Sequence, residues 1–149
     1  MQKPIIRQLD RSDREKWLLL WEGYNTFYER VIPEQVTHTT WERFFDHYEP
    51  VNALVAGHNG ALIGFVHYIF QRNTSMMGPI CYLQDLFTKS EARGQGVGRN
   101  LIEAVYAAAK KADSPRVYWL THETNTQAMI LYEKIAQRSG FLQYRKDIT

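Results

Sequence analysis

The spacing of hydrophobic residues changes along the chain, and each change marks a predicted element. Residues 3–9 alternate between apolar and polar side chains, as a first strand would. In residues 10–29 and again in residues 34–48, which Pro33 separates, large apolar side chains recur every three or four positions. That spacing predicts two amphipathic helices, the first of which has Asp and Ser at its start as a cap.

After Pro50 the apolar spacing shortens to two, which predicts strands. Residues 52–70 form two strands around Asn59 and Gly60, because both residues tolerate the positive φ of a tight hairpin turn. Residues 79–88 predict a further strand, which follows the hairpin directly in sequence.

The second half of the chain alternates between helices and strands. A helix over residues 96–112 precedes a short apolar strand at 116–121, and a helix over 125–140 precedes a closing strand at 141–148. The resulting order, β-α-α-β-β-β-α-β-α-β, predicts a single α/β (α+β) domain over residues 1–149.

The composition of the chain excludes several classes of protein but does not identify an activity. The 149 residues suit one domain, and 44% hydrophobic residues with a net charge of +2 argue against disorder and against a nucleic-acid surface. No apolar run approaches the ~20 residues that span a bilayer, and the N-terminus lacks the apolar core of a signal peptide. The single cysteine, Cys81, excludes an intrachain disulfide, and the five histidines show no metal-ligand spacing. We therefore expect a cytoplasmic protein without a metal and without a membrane partner.

Three glycines at alternating positions, Gly94, Gly96 and Gly98, lie between a predicted strand and a predicted helix. Such a loop brings backbone N–H groups close to an anion at the helix N-terminus. A nucleoside triphosphate loop would need Lys and Ser or Thr after its last glycine, where this chain has Arg99 and Asn100. A dinucleotide fingerprint would need a glycine at position 99. A pyrophosphate cradle therefore fits best, and a glycine-rich corner without a ligand is the plainer alternative.

The motifs around this loop resemble those of the GNAT superfamily of N-acetyltransferases. Residues 93–98, RGQGVG, are similar to its acetyl-CoA signature, R/Q-x-x-G-x-G/A. Residues 125–141 resemble its second motif, in which an Asn opens a helix, a Tyr follows within two turns and Gly-Phe ends it. The order of elements is also the family's, and the resemblance is nearest to the polyamine and histone-type amine acetyltransferases. It implies a mixed central sheet that splays between the fourth and fifth strands.

The resemblance implies acetyl-CoA as the cosubstrate and no metal. Strand residues before the loop would pair through their backbone with the pantetheine arm, and the loop with its flanking arginines would hold the pyrophosphate. The Asn that opens the second motif would contact the arm. The residues so implied are Leu86, Phe87, Thr88, Arg93, Gly94, Gln95, Gly96, Val97, Gly98, Arg99 and Asn125.

For the chemistry, the resemblance implies direct attack of a primary amine on the thioester in a ternary complex. Tyr132 is the candidate general acid for the leaving thiolate, because a phenol has a pKa of about 10; a helix tyrosine packed in the core is the plainer alternative. Polyamine acetyltransferases have an acid pair where this chain has Gln84 and Asp85. Because Gln84 cannot act as a base, Asp85 remains as base, ammonium-binding group or ordinary strand residue, and His122 and Glu123 are reserves.

Substrate recognition is expected from the first two helices and from His122 after the fifth strand. Tyr24 and Tyr28, with acidic neighbours, suit an ammonium group through cation–π and charge contacts, while Trp21 and Phe27 more simply fill the core. The acceptor would be a small polyamine-like amine or the lysine side chain of a peptide, and a homodimer is expected. Alternatives are an acetyltransferase for an antibiotic or toxin amine, and a non-catalytic acyl-CoA sensor.

Overall fold

The computed structural model describes residues 3–149, so the expected domain start at Met1 lies outside the described residues. The chain divides into two compact units, a first that ends at Trp119 and a second over Leu120–Thr149. The first unit contains a five-stranded sheet and three helices, and the second contains one helix.

The sheet has the strand order β1-β2-β3-β4-β5. Its strands are β1 Ile5–Gln8, β2 Val51–His58, β3 Ala61–Gln71, β4 Ile80–Thr88 and β5 Val117–Tyr118. The first three pairings are antiparallel, and β4 pairs with β5 in parallel. That parallel pairing covers only Cys81 with Val117 and Tyr82 with Tyr118, so the sheet opens beyond Tyr82. The expected mixed, splayed sheet is confirmed.

The helices of the first unit are α1 Arg14–Phe27, α2 Glu34–Arg43 and α3 Val97–Lys111. A short 3-10 turn precedes α1, and the side chains of Asp10 and Asp13 cap it reciprocally. Asp13 also accepts two hydrogen bonds from the Arg7 guanidinium, at 2.7 and 2.9 Å, which ties β1 to the start of α1. Paired bonds between a guanidinium and a carboxylate are strong because both partners are charged.

The two faces of the sheet carry different cores. On one face, large aromatic side chains of α1, α2 and β3 pack together, which include Trp17, Trp21, Tyr24, Trp41 and Phe65. Successive residues of a strand point to opposite faces, and Gly64 accordingly faces α3. A Cβ atom there would lie 3.3 Å from the side chains of Leu101 and Val97. The aromatic face is the one that holds the buried polar groups of the candidate site.

Three predicted elements are longer than the observed ones. Helix α2 ends at Arg43, β5 contains two residues, and the helix of the second unit, α4 Thr126–Ile135, ends well before residue 140. The closing strand predicted at 141–148 is absent, since residues 137–149 contain no helix or strand. An alternating sequence becomes a strand only where a neighbouring strand supplies backbone partners. Within residues 3–149 none does so here, and Phe141 is 91% exposed.

Candidate active site

The candidate site is built around Asp85, which a β-bulge turns toward α1. In the pairing of β3 with β4, His67 lies opposite Asp85 while Tyr68 lies opposite Leu83, so Gln84 is the extra residue. Cross-strand partners share a face, and without the bulge Asp85 would share the face of Leu83. The bulge instead places Asp85 beside His67 on the aromatic face and leaves Gln84 exposed.

Asp85 is the centre of a buried chain of hydrogen bonds. The Tyr24 hydroxyl donates to its Oδ1 at 2.8 Å, and His67 Nδ1 lies 2.9 Å from its Oδ2. At the far side of the imidazole, Trp17 Nε1 donates to His67 Nε2 at 3.1 Å. An indole N–H can only donate, so Nε2 is an acceptor and the imidazole carries its proton on Nδ1. His67 therefore donates from Nδ1 to Asp85 Oδ2.

These bonds set the charge of Asp85. Burial tends to raise the pKa of its carboxyl, but the hydrogen bonds from His67 and Tyr24, together with electrostatic contributions from His67 and Arg30, outweigh burial and lower the pKa below its ordinary value of 3.8. The pKa of Tyr24 is raised by burial and by the charge of Asp85. The site therefore holds an ionised carboxylate and a neutral phenol, and the Asp85 side chain keeps 10% of its surface exposed.

The lowered pKa of Asp85 predicts a pH-dependent contribution to stability. An ionised aspartate that is stabilised in the folded state contributes fully above its unfolded pKa of about 3.9, and this contribution is lost as pH falls through the lower folded pKa. Each unit of depression is worth about 1.4 kcal/mol. We expect urea titrations to show a smaller loss of unfolding free energy from pH 5 to pH 3 in Asp85→Asn than in the natural protein. Asp10 and Asp13 also have lowered pKa values and are present in both proteins, so they contribute equally to the two losses of unfolding free energy. Equal losses in the two proteins would therefore contradict the assignment of this contribution to Asp85.

The glycine loop forms a concave backbone corner before α3. Gly94 and Gly96 have φ values of 80° and 81°, in the left-handed region that favours glycine, and Gly96 is the N-cap of α3. Among residues 3–149, no side chain caps this helix, so its first N–H groups point outward without a side-chain acceptor. Gly98 has no conformational need for glycine, and a Cβ there would meet nothing within 4 Å. The loop fits an anion that approaches the backbone closely.

The two arginines that flank this loop are held differently. Arg93 donates from Nε to the Thr88 carbonyl at 2.9 Å, and its guanidinium lies over the rings of Phe27 and Phe87. Arg99 forms an ion pair with Glu103, one turn along α3.

Phe27 is exposed, so the prediction that it fills the core is wrong, and its ring contacts Arg93 instead. Trp21 is buried as predicted.

Strand β4 offers a backbone edge next to the loop. Beyond Tyr82, no strand in the described chain pairs with β4 on the side of β5, so Leu86, Phe87 and Thr88 have a strand partner only in β3. An extended ligand arm can add to such an edge as a further strand would.

The second unit carries the remaining predicted residues. Asn125 is the N-cap of α4, and its side-chain amide donates to Thr121 Oγ1 at 3.1 Å. Tyr132 is half-buried and lies two turns into the helix, at the seven-residue spacing that puts it on the same face as Asn125. His122 is exposed and its Nδ1 lies 2.7 Å from Thr124 Oγ1.

His67 and Trp17 are not among the site residues predicted from the sequence. His67 alternates in register with Phe65 on an apolar strand face, and Trp17 falls within a helical apolar pattern, so both resemble ordinary core positions. The available signal was the polar His67 in an otherwise apolar strand, since a buried polar side chain is satisfied by a hydrogen-bond partner.

A model described as "Acetyltransferase (GNAT) family" matches residues 17–136, most of the chain. The chain therefore belongs to this family and is an N-acetyltransferase.

Two relatives of similar length are named as N-acetyltransferases. The chain is 34% identical over 145 residues to the D-amino-acid N-acetyltransferase HPA3 of Saccharomyces cerevisiae, which covers 96% of this chain and 90% of that protein. It is 29% identical to the N-acetyltransferase YhfO of Bacillus subtilis, over 93% and 94% of the two chains. The structure of AAC(6')-Iy with a CoA bisubstrate analogue matches with a TM-score of 0.85 at 18% identity, over 99% and 100% of the chains. That last likeness concerns the fold alone.

No helix within residues 3–149 is both long and apolar enough to cross a membrane. In the same part of the chain, no three His, Cys, Asp or Glu side chains come together as a metal site would need.

Proposed function

We propose that the chain transfers the acetyl group of acetyl-CoA to the primary amine of a small molecule by direct attack in a ternary complex. The observation that carries this proposal is the ionised, partly accessible carboxylate of Asp85, bonded to Tyr24, on the strand that leads into the anion-binding loop. An anionic group attracts an ammonium substrate, and a loop of backbone donors holds a pyrophosphate.

The residues present fit acetyl-CoA. The N–H groups from Gly94 to Arg99 would hold the pyrophosphate, with Arg93 beside them, and the β4 edge at 86–88 would pair with the pantetheine arm. We further propose Asn125 as a contact of the pantetheine arm. Supporting observations are the uncapped start of α3, the open edge of β4, and a glycine at 98 that nothing within the chain requires.

Bound acetyl-CoA supplies an acetyl thioester. The amine nitrogen would form the new C–N bond and lose one proton to solvent while the C–S bond breaks. We assign Tyr132 as the group that would give its phenolic proton to the sulfur and regain a proton from solvent. A base works best when its pKa is close to the working pH. The lowered pKa of Asp85 therefore suits the binding of the ammonium form better than removal of its proton. The amine attacks as the free base, whose population rises with pH.

A covalent route through Cys81 is less well supported. Its thiol is fully buried in β4, and burial raises its pKa to about 12. A thiol is nucleophilic as the thiolate. At neutral pH this group is a packed core side chain, which favours direct attack over an acetyl-enzyme.

The test is release of CoA thiol by the purified protein with acetyl-CoA and a panel of amines. The panel contains spermidine, diamines, amino acids, basic peptides and aminoglycosides. Release with one class of amine supports the proposal. Acetyl-CoA binding without release on any amine would overturn it in favour of an acyl-CoA sensor.

Gly98→Ala tests the cradle separately from folding. Because a Cβ at this position meets nothing within 4 Å among residues 3–149, we expect a melting temperature that is unchanged or slightly raised and a Kd for CoA about 10-fold higher, since the methyl group blocks the approach of an anion. Isothermal titration with CoA measures the change. Ala107→Ser, a small substitution further along the same helix, is the control. An unchanged Kd in Gly98→Ala would remove this position from the CoA site.

The proposal also includes a homodimer in the cytoplasm. The C-terminal residues 141–148 expose several apolar side chains, among them Leu142 and Tyr144, which a second copy would cover. The lone, buried Cys81 suits a reducing compartment. Light scattering at several protein concentrations tests the dimer.

A further inference from the structure

We propose that the acceptor is an α-amino acid, whose carboxylate binds Arg30 while its ammonium group faces Asp85. This inference rests on the proposed function and specifies its substrate class. It assigns Arg30, which lies just after α1, as the residue that distinguishes amino acids from simple amines.

The backbone after α1 places Arg30 in a defined position. Glu29 has a φ of 54°, in the left-handed region that glycine usually occupies at the end of a helix. The Glu29 N–H donates to the Thr26 carbonyl at 3.0 Å, and the Arg30 N–H donates to the Asn25 carbonyl at 2.8 Å. These two bonds form a Schellman motif, which turns the chain back over the helix end. Arg30 is thus directed toward α1 by a local structure that Glu29 adopts against its own preference.

The Arg30 side chain is held by buried groups. Its Nη2 donates to Asn25 Oδ1 at 2.8 Å, and Asn25, only 5% exposed, is fixed in turn by a bond to the Trp21 carbonyl. The guanidinium carbon lies 5.2 Å from the centre of the Tyr24 ring and 5.8 Å from that of Tyr28. Within residues 3–149, no carboxylate lies within ion-pair distance of this guanidinium.

Arg30 and Asp85 both contact Tyr24. The Tyr24 hydroxyl donates to Asp85, while the Tyr24 ring contacts Arg30. The charge of Arg30 also contributes to lowering the pKa of Asp85, so the two groups lie within electrostatic reach of each other. One aromatic side chain therefore separates a fixed anion from a fixed, exposed cation.

This arrangement matches a zwitterion. An α-amino acid carries an ammonium and a carboxylate on one carbon, and a guanidinium binds a carboxylate through two parallel hydrogen bonds. A polyamine or an aminoglycoside would instead bring additional cations toward Arg30, where like charges repel. The name of the yeast relative, a D-amino-acid N-acetyltransferase, agrees with this choice.

The experiment compares matched pairs of acceptors that differ only in the carboxylate. D- and L-phenylalanine are compared with 2-phenylethylamine, and kcat/KM is measured for each by CoA-thiol release. We expect the natural protein to prefer one phenylalanine enantiomer over the amine by at least about 10-fold. In Arg30→Gln this preference should fall by about 10- to 100-fold, through KM, because a charge-assisted pair is lost. Arg30→Lys should retain part of the preference.

Arg14→Gln, an exposed arginine on the first turn of α1, is the matched control and should keep the natural preference. Acetylation of amines with no advantage for amino acids, or an unaltered preference in Arg30→Gln, would overturn this inference and leave the proposed function intact. No acetylation of any acceptor by protein that binds acetyl-CoA would instead overturn the proposed function itself.

Discussion

Asp85→Asn is expected to lower kcat/KM for the amine acceptor by on the order of 10²- to 10³-fold, while the Kd for CoA stays within about twofold. The substitution removes the negative charge of Asp85 from the buried chain of hydrogen bonds, and loss of one partner of a desolvated charge pair has effects of this size. The side chain keeps its volume, so the aromatic core around it remains filled. Initial rates of thiol release at several amine concentrations give kcat/KM, and calorimetric titration with CoA gives the Kd.

The hydrogen bonds of the variant can be worked out from the natural ones. The His67 N–H can still donate to an amide oxygen at position 85, because Trp17 holds the imidazole in one tautomer. The amide nitrogen then faces Tyr24, which has to change from donor to acceptor. The variant therefore folds, and its defect lies in the attraction of the ammonium group.

Gln84→Asn is the control for Asp85→Asn, because Gln84 is the exposed residue of the same bulge. It should keep kcat/KM within about twofold. If both variants lose activity equally, the loss comes from disturbance of the bulge, and binding of the ammonium group by Asp85 is not supported. If Asp85→Asn retains full activity, the proposed ammonium site is wrong.

Most of the fold could be predicted from spacing alone. The hairpin around Asn59 and Gly60, the strand before the glycine loop and the helix after it all have local signals, since turn chemistry and periodicity act over a few residues. Because these signals are local, they also explain why some elements were predicted to be longer than they are. Nothing local shows that β5 ends after two residues or that residues 141–148 lack a neighbouring strand.

The candidate site was predictable only in part, because its geometry depends on contacts between distant residues. The pair of Asp85 with Tyr24 joins residues from β4 and α1, and no spacing shows which strand residue faces which helix residue. The bulge at Gln84 reverses which face Asp85 occupies, and alternation cannot predict it. Arg30 was missed because a glutamate, not a glycine, occupies the left-handed position before it. The usual sequence signal of that turn is therefore absent.

Tyr132→Phe is expected to lower kcat by about 10²-fold with little change in KM or in the Kd for CoA. General acid catalysis contributes roughly 10²- to 10⁴-fold, and a thiolate, which is a tolerable leaving group without a proton, places the effect at the lower end. A loss confined to kcat marks an interaction made in the transition state. Tyr144→Phe, at an exposed tyrosine of the same unit, removes an equivalent hydroxyl and should have no effect.

The pH profile separates a proton donor from a tyrosine that only packs. If the phenol protonates the leaving sulfur, kcat of the natural protein falls at alkaline pH as the phenol ionises, and this decrease disappears in Tyr132→Phe. A tyrosine that merely supports α4 would lower the melting temperature and leave the alkaline limb unchanged. A slower rate with an unaltered limb would therefore assign Tyr132 to structure. The proton on the sulfur would then come from solvent, since the buried Cys81 and Tyr24 titrate too high and the buried Asp85 is already ionised.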